Sequence, residues 1–173
     1  GSLLVIGDDS PWIYSSLTSF AGITWVYGGY GGFTGDITPH PVTEGVTTAY
    51  FGGPNSQLSV ASPAEDLIRT SYGCIMLAVS DVWPGKVMGI ADEDSINNWN
   101  IGYANNLRLA NNMIDWLTTR YEHDLSVSLV APRFLKPDNS ALLEATVFNI
   151  GLENENNVEL QLLIDNSIVD SVI

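Results

Sequence analysis

The hydrophobic period of this chain changes near residue 121, and that change restricts what the chain can build. Before it, apolar runs are continuous or spaced at three and four residues, as in "SLLVIGDD" and "ANNLRLANNMIDWLTTR". After it, "DLSVSLV", "ALLEATVFNIG", "NVELQLLID" and "SIVDSVI" alternate in period two, separated by turn residues such as Pro-Asp-Asn and Asp-Asn. Continuous runs suit strands covered on both faces, and alternation suits strands covered on one. Residues 1–121 therefore read as an α/β unit and residues 122–173 as an all-β unit, joined through "RYEHD".

In the first part, "SLLVIGDD" predicts a strand and "SPWIYSSLTSFAGI" a short helix. Ser10 can cap that helix, Pro11 suits its first turn, and Ile13, Leu17 and Phe20 share a face; Gly22 can end it. "ITWVYGG" then predicts the next strand, completing a βα unit. The glycine-rich stretch 28–36 lacks the Lys-Ser/Thr of a phosphate cradle and reads as a loop. "VTTAYFGG", "YGCIMLAVS" and "KVMGIAD" predict further strands, and Ser62 and Glu65 in "SPAEDLI" have the spacing of a capping box. The last helix places Leu107, Ala110, Ile114 and Leu117 on one stripe, with Met113 beside it. The expected architecture is α/β: a partial flavodoxin-like sheet with flanking helices, followed by a partial immunoglobulin-like sandwich. Four strands fall short of the roughly seven such a sandwich uses. The chain begins inside a strand pattern without Met and ends without a cap, so it reads as a segment of a longer protein.

Twenty acids against six bases give a net charge of −14. Such a balance disfavours nucleic-acid backbones and anionic membranes as partners and suits cations or polysaccharides. No apolar run reaches membrane-spanning length, so direct membrane insertion is not expected. A single cysteine, Cys74, excludes an internal disulfide framework and a multi-cysteine metal site.

Two resemblances add to this. "DLSVSLVAP" and "LLEATVFNIGLENENNVELQLLIDNSIVDS" resemble the CARDB family, the cell adhesion related domain found in bacteria. The carrying features are the opening Asp-Leu, the Val-x-Asn-x-Gly turn at 147–151 and the Asn-Val strand after it. The resemblance implies a non-catalytic sandwich within a secreted or envelope protein. "GSLLVIGDD", "ITPHPVTEGV", "GKVMGIADED" and "NNLRLANNMIDWL" resemble class I glutamine amidotransferase-like domains, and "HPVTEG" their ThuA-like relatives. Those enzymes carry a nucleophilic Cys in a Gly-x-Cys-x-Gly elbow and a later His-Pro-Glu. Here Asp9 stands about where the Cys would, and Asp92 and Asp94 roughly replace the His and Glu. Without thiolate or imidazole, that acyl-transfer chemistry has no nucleophile, and no catalytic residue or cofactor is expected.

The candidate ligand-binding residues are Asp9, Asp92, Asp94, His40 and Trp99. The acids of "GDDS" and "ADED" fall at strand ends, where α/β sheets collect ligands. They can hold a hard cation or a sugar, or cap a helix and close turns by local hydrogen bonds. The spacing is not that of an EF-hand loop, so no metal site is assigned. His40 lies between two prolines, where its backbone is extended and stiff. Among Trp12, Trp25, Trp83, Trp99 and Tyr103, which can stack on sugars, Trp12 and Trp25 fall on core-facing patterns, leaving Trp83 and Trp99 as surface aromatics. The expected function is a non-enzymatic accessory segment of an extracellular or cell-surface protein, in adhesion, spacing or ligand presentation. Its expected partners are carbohydrate or other cell-surface proteins. The alternative is a carbohydrate- or metal-binding domain beside a secreted hydrolase.

Overall fold

A computed structural model describes residues 1–8, 11–53, 56–82, 85–119, 121–132, 134 and 141–173. Contacts divide the chain into Gly1–Thr119 and Arg120–Ile173. The first unit runs β1 (Ser2–Ile6), α1 (Pro11–Thr18), β2 (Ile23–Tyr27), β3 (Gly32–Thr34), β4 (Asp36–Ile37) and β5 (Ala49–Phe51). It continues with β6 (Ser56–Val60), β7 (Glu65–Arg69), β8 (Ile75–Val82), β9 (Gly85–Ile90) and α2 (Asn106–Thr118).

Seven strands form the main sheet, in the order β1-β9-β8-β6-β2, with β7 also on β8 and β4 on β7. Only β1 and β9 run parallel among the described pairs of this sheet; the others are antiparallel. This corrects the expectation of a flavodoxin-like sheet, which needs successive parallel strands joined through covering helices. Among the described residues strand outweighs helix, with two α-helices. The clearest reversal is at "SPAEDLI": Glu65–Arg69 is a strand, despite the Ser62…Glu65 spacing. A helix there would carry only one adjacent apolar pair. As β7, the segment satisfies the open edge of β8, and Leu67 and Ile68 are both buried.

Both helices dock through faces other than the expected ones. Ile13 and Leu17 of α1 and Phe20 of the 3-10 turn after it are all more than half exposed. The inward face of α1 carries Tyr14, packed on Trp25, and two hydroxyls that meet a strand edge. The Ser15 hydroxyl accepts from Trp25 N at 2.8 Å, and the Thr18 hydroxyl donates to Ile23 O at 2.8 Å. Side chains thus occupy backbone groups of β2 that would otherwise template another strand. Gly22, at φ 78°, then turns the chain from a short 3-10 turn into β2. On α2 the buried residues are Asn106, Leu109 and Met113, spaced i, i+3, i+7, whereas Leu107 and Ile114 are exposed. Leu109→Ala should lower unfolding stability by about 2–5 kcal/mol, while Leu107→Ala should stay within about 0.5 kcal/mol. Paired urea melts check this; equal losses would restore the stripe through Leu107.

The core of this unit is the sheet interior closed by α2, with Trp25, Phe51, Met76, Leu77, Met88 and Leu109 buried together. Cys74 is buried there too.

In the second unit, β10 (Leu125–Val130) pairs antiparallel with β11 (Glu144–Asn149), and β12 (Leu160–Ile164) with β13 (Ser167–Val172). These are two two-stranded sheets with no buried residue among those described, which corrects the expected partial immunoglobulin-like sandwich, whose two sheets pack face to face over a core. Val127, Leu129 and Leu143 line a depression of about 390 Å³ with Leu160, Leu162 and Val172. No described residue from 121 to 173 is buried, so apolar faces meet there without closing. The segment 121–124 is tied to the turn after β11: Leu152 N donates to Tyr121 O, Ile150 N donates to Asp124 O, and His123 Nδ1 lies 2.8 Å from Glu155 Oε1. The Pro-Asp-Asn turn expected at 137–139 lies outside the described residues.

Candidate functional site

The parallel pairing of β1 and β9 brings two acidic turns side by side. Ile6 pairs with Ile90, and the ladder continues past both strands: Gly7 N donates to Ile90 O at 2.8 Å, and Glu93 N donates to Gly7 O at 3.1 Å. Asp8 thereby comes close enough to Asp92 for its charge to be felt there.

Asp92 is 2% exposed. Its backbone is extended, and it caps the 3-10 turn Glu93–Ser95. One carboxylate oxygen, Oδ1, accepts from Asp94 N at 3.1 Å; the other, Oδ2, accepts from Gly52 N at 2.8 Å. Burial pushes the Asp92 carboxyl up to about 6, against the two backbone donors that favour its charged form, and the charges of Asp94 and Asp8 push the same way as burial. Asp94 accepts from Asn97 Nδ2 at 2.5 Å, and Asn97 Oδ1 accepts from the backbone N of Trp99 and of Asn100. Gly52 has to be glycine: a Cβ there would run into the Asp94 carboxylate.

Asn106 completes the cluster, and sequence reasoning passed over it. It is fully buried. Its Oδ1 accepts from Tyr50 N at 2.9 Å, and its Nδ2 donates to Tyr50 O at 2.7 Å and to Ser95 O at 2.8 Å. One amide thus holds β5 and the acidic turn to the first turn of α2. The available signal was its place three and seven residues before Leu109 and Met113.

Of the candidate residues, Asp92 and Asp94 share this loop, and the loop fixes the backbone of Trp99, whose side chain is 86% exposed. His40 stands elsewhere. Its Nδ1 accepts from Val42 N at 3.1 Å, capping the 3-10 turn Pro41–Thr43, and its ring meets Trp116 edge-on at 5.5 Å. Burial, opposed by Glu65 and Asp81 and aided by Lys86, lowers its pKa. A ring nitrogen occupied by a backbone N–H is a cap, not a general base. Asp9, Ser10, Trp83 and the Trp12 side chain lie outside the described residues. Trp25 is buried, its indole N–H donating to Ile90 O at 3.2 Å. Tyr103 joins a small aromatic cluster, meeting Tyr50 edge-on at 5.2 Å, with Phe33 packed on Tyr50 at 4.7 Å. Among the described residues, no three His, Cys, Asp or Glu side chains converge closely enough to hold a metal ion.

No protein-family model and no curated protein matches this chain. Among solved structures it is similar to an "mmIFT52 N-terminal domain", with a TM-score of 0.57 and 19% identity. The similarity covers 69% of this chain and 65% of that one. The likeness is one of fold alone. The chain matches less than two thirds of that neighbour's length, and the neighbour stands against the expected flavodoxin-like fold.

Proposed function

We propose that the chain is a non-catalytic accessory segment of an extracellular or cell-surface protein, serving adhesion, spacing or ligand presentation. The observation that carries this is the hydrogen bonding of Asp92. Both of its oxygens are engaged by backbone N–H groups, and the carboxylate beside it, Asp94, is held by Asn97. A carboxylate that acts as base or nucleophile must reach substrate, and Asp92 is almost wholly buried, with both oxygens turned to backbone donors. Here the acids shape a turn instead. The exposed apolar stripe of α1 and the CARDB-like sequence of the second unit support a role in contact with other molecules.

The expected result is no turnover of glutamine or of an activated ester at any pH from about 4 to 9, a span that brackets both protonation states of an acid near 6. Hydrolysis that disappears in Asp92→Asn while the variant keeps its circular dichroism would sink the non-catalytic role.

A further inference from the structure

Alongside the first turns of α2 lies a depression of about 500 Å³, lined by Ile101, Asn105, Leu107, Arg108, Asn111 and Asn112 among others. Asn105, Arg108 and Asn112 recur at i, i+3, i+7 and so share one helix face.

Two of the amides are already oriented. Asn105 Oδ1 accepts from Thr47 N and Thr48 N at 3.0 and 3.2 Å, which leaves its Nδ2 as a donor. Asn112 Nδ2 donates to Val42 O and Glu44 O at 3.1 and 2.9 Å, which leaves its Oδ1 as an acceptor. A donor and an acceptor are thus held in place by backbone, with the Asn111 amide between them in sequence. Arg108 adds a charge. Of the described cationic side chains in this unit, Arg69 pairs with Asp66 at 2.6 Å. Lys86 is buried and donates to Trp116 O and Thr119 O. Arg108 alone has no acceptor among the described residues, and it rests on Gly45, where a Cβ would stand 2.6 Å from Nη1.

We propose that this depression binds a saccharide whose terminal sugar carries one carboxylate, a hexuronate. The inference rests on the proposed role in ligand presentation and names the ligand. Vicinal hydroxyls both donate and accept, which suits fixed amides of opposite polarity, and the guanidinium takes the carboxylate in a two-pronged bond. Ile101 and Leu107 offer apolar surface to the C–H face of the ring. A peptide fits less well. Peptide capture commonly adds a strand to an open sheet edge, and no strand residue lines this depression. A polyuronate fits less well too, because a chain of net charge −14 repels a polyanion.

The test is a titration of the full chain, followed by nitrogen–proton NMR of its Asn and Arg side chains. The probes are cellobiouronic acid, cellobiose and N-acetyl-trialanine. Cellobiouronic acid should bind about fivefold more tightly than cellobiose, the margin of a charge-assisted over a neutral hydrogen bond. Shifts should centre on Asn105, Asn111 and Arg108. Arg108→Gln, at an exposed position, should abolish the preference while cellobiose binding persists. The proposal is overturned by no saturable binding of either saccharide, by equal affinities, by a preference that survives Arg108→Gln, or by tighter binding of the peptide. Binding at Arg108 followed by cleavage of the glycosidic bond supports this site but removes the non-catalytic role, so the two failures are distinct.

Discussion

Asp92→Asn should make the protein more stable, relative to the parent chain, as the solution is brought from about pH 3 to about pH 8, by about 3 kcal/mol in all. The Asp92 carboxyl is raised from 3.8 to about 6 in the folded chain, chiefly by burial. The folded state therefore holds this proton more tightly than the unfolded state does. Below 3.8 both states are protonated, and the group has no net effect on folding. As pH rises from 3.8 through 6, the unfolded chain ionises first, and folding stability falls; above 6 the loss is complete. The total follows from that rise, at about 1.36 kcal/mol for each pH unit between the two values. Asparagine resembles the neutral acid and carries no such titration. Chemical denaturation of parent and variant at matched ionic strength cancels the titrations of acids remote from Asp92, while Asp8 and Asp94, whose charges reach it, stay coupled to it. Parallel stability curves across that range would show that Asp92 ionises as an ordinary surface acid.

The second large effect is expected at Asn106. Asn106→Ala should destabilise the first unit by about 3–5 kcal/mol. It leaves Tyr50 N, Tyr50 O and Ser95 O without their side-chain partner inside the protein, and each buried orphan costs about 1–3 kcal/mol. Asn106→Asp should be at least as damaging, because an oxygen would then face the two carbonyls that Nδ2 now serves. Asn111→Ala, five residues further along α2 on an exposed position, is the control and should stay within about 0.5 kcal/mol. Thermal or urea melts of the three variants decide this. Equal stability of Asn106→Ala and Asn111→Ala would mean that the clip between β5 and the acidic turn carries no energy.

Local elements were legible in the sequence because their causes are local. The apolar runs of β1, β2, β8 and β9 and the long amphipathic α2 stand where composition puts them, and Gly22 ends the first helical stretch through its own backbone freedom. The acidic turn was also legible as a candidate, and so was its bland alternative. Turn closure is what the bonds from Asp92 to Gly52 N and Asp94 N display.

What the sequence by itself determined is therefore the set of strands and helices whose signals fit within a few residues, the acidic surface and the residues that crowd the end of β9. Tertiary structure alone decided the rest. Strand direction and order depend on pairing between distant segments, so β7 could override its own capping signal to complete β8. Which face of a helix turns inward depends on what lies beneath it. Over α1 that is the open edge of β2, which takes hydroxyls rather than the apolar Ile13, Leu17 and Phe20. Beneath α2 it is the backbone of Tyr50 and Ser95, which draws in the amide of Asn106 where the pattern offered Leu107. Backbone groups left unpaired by the sheet must be satisfied, and the side chains that reach them are chosen by geometry that no local spacing encodes.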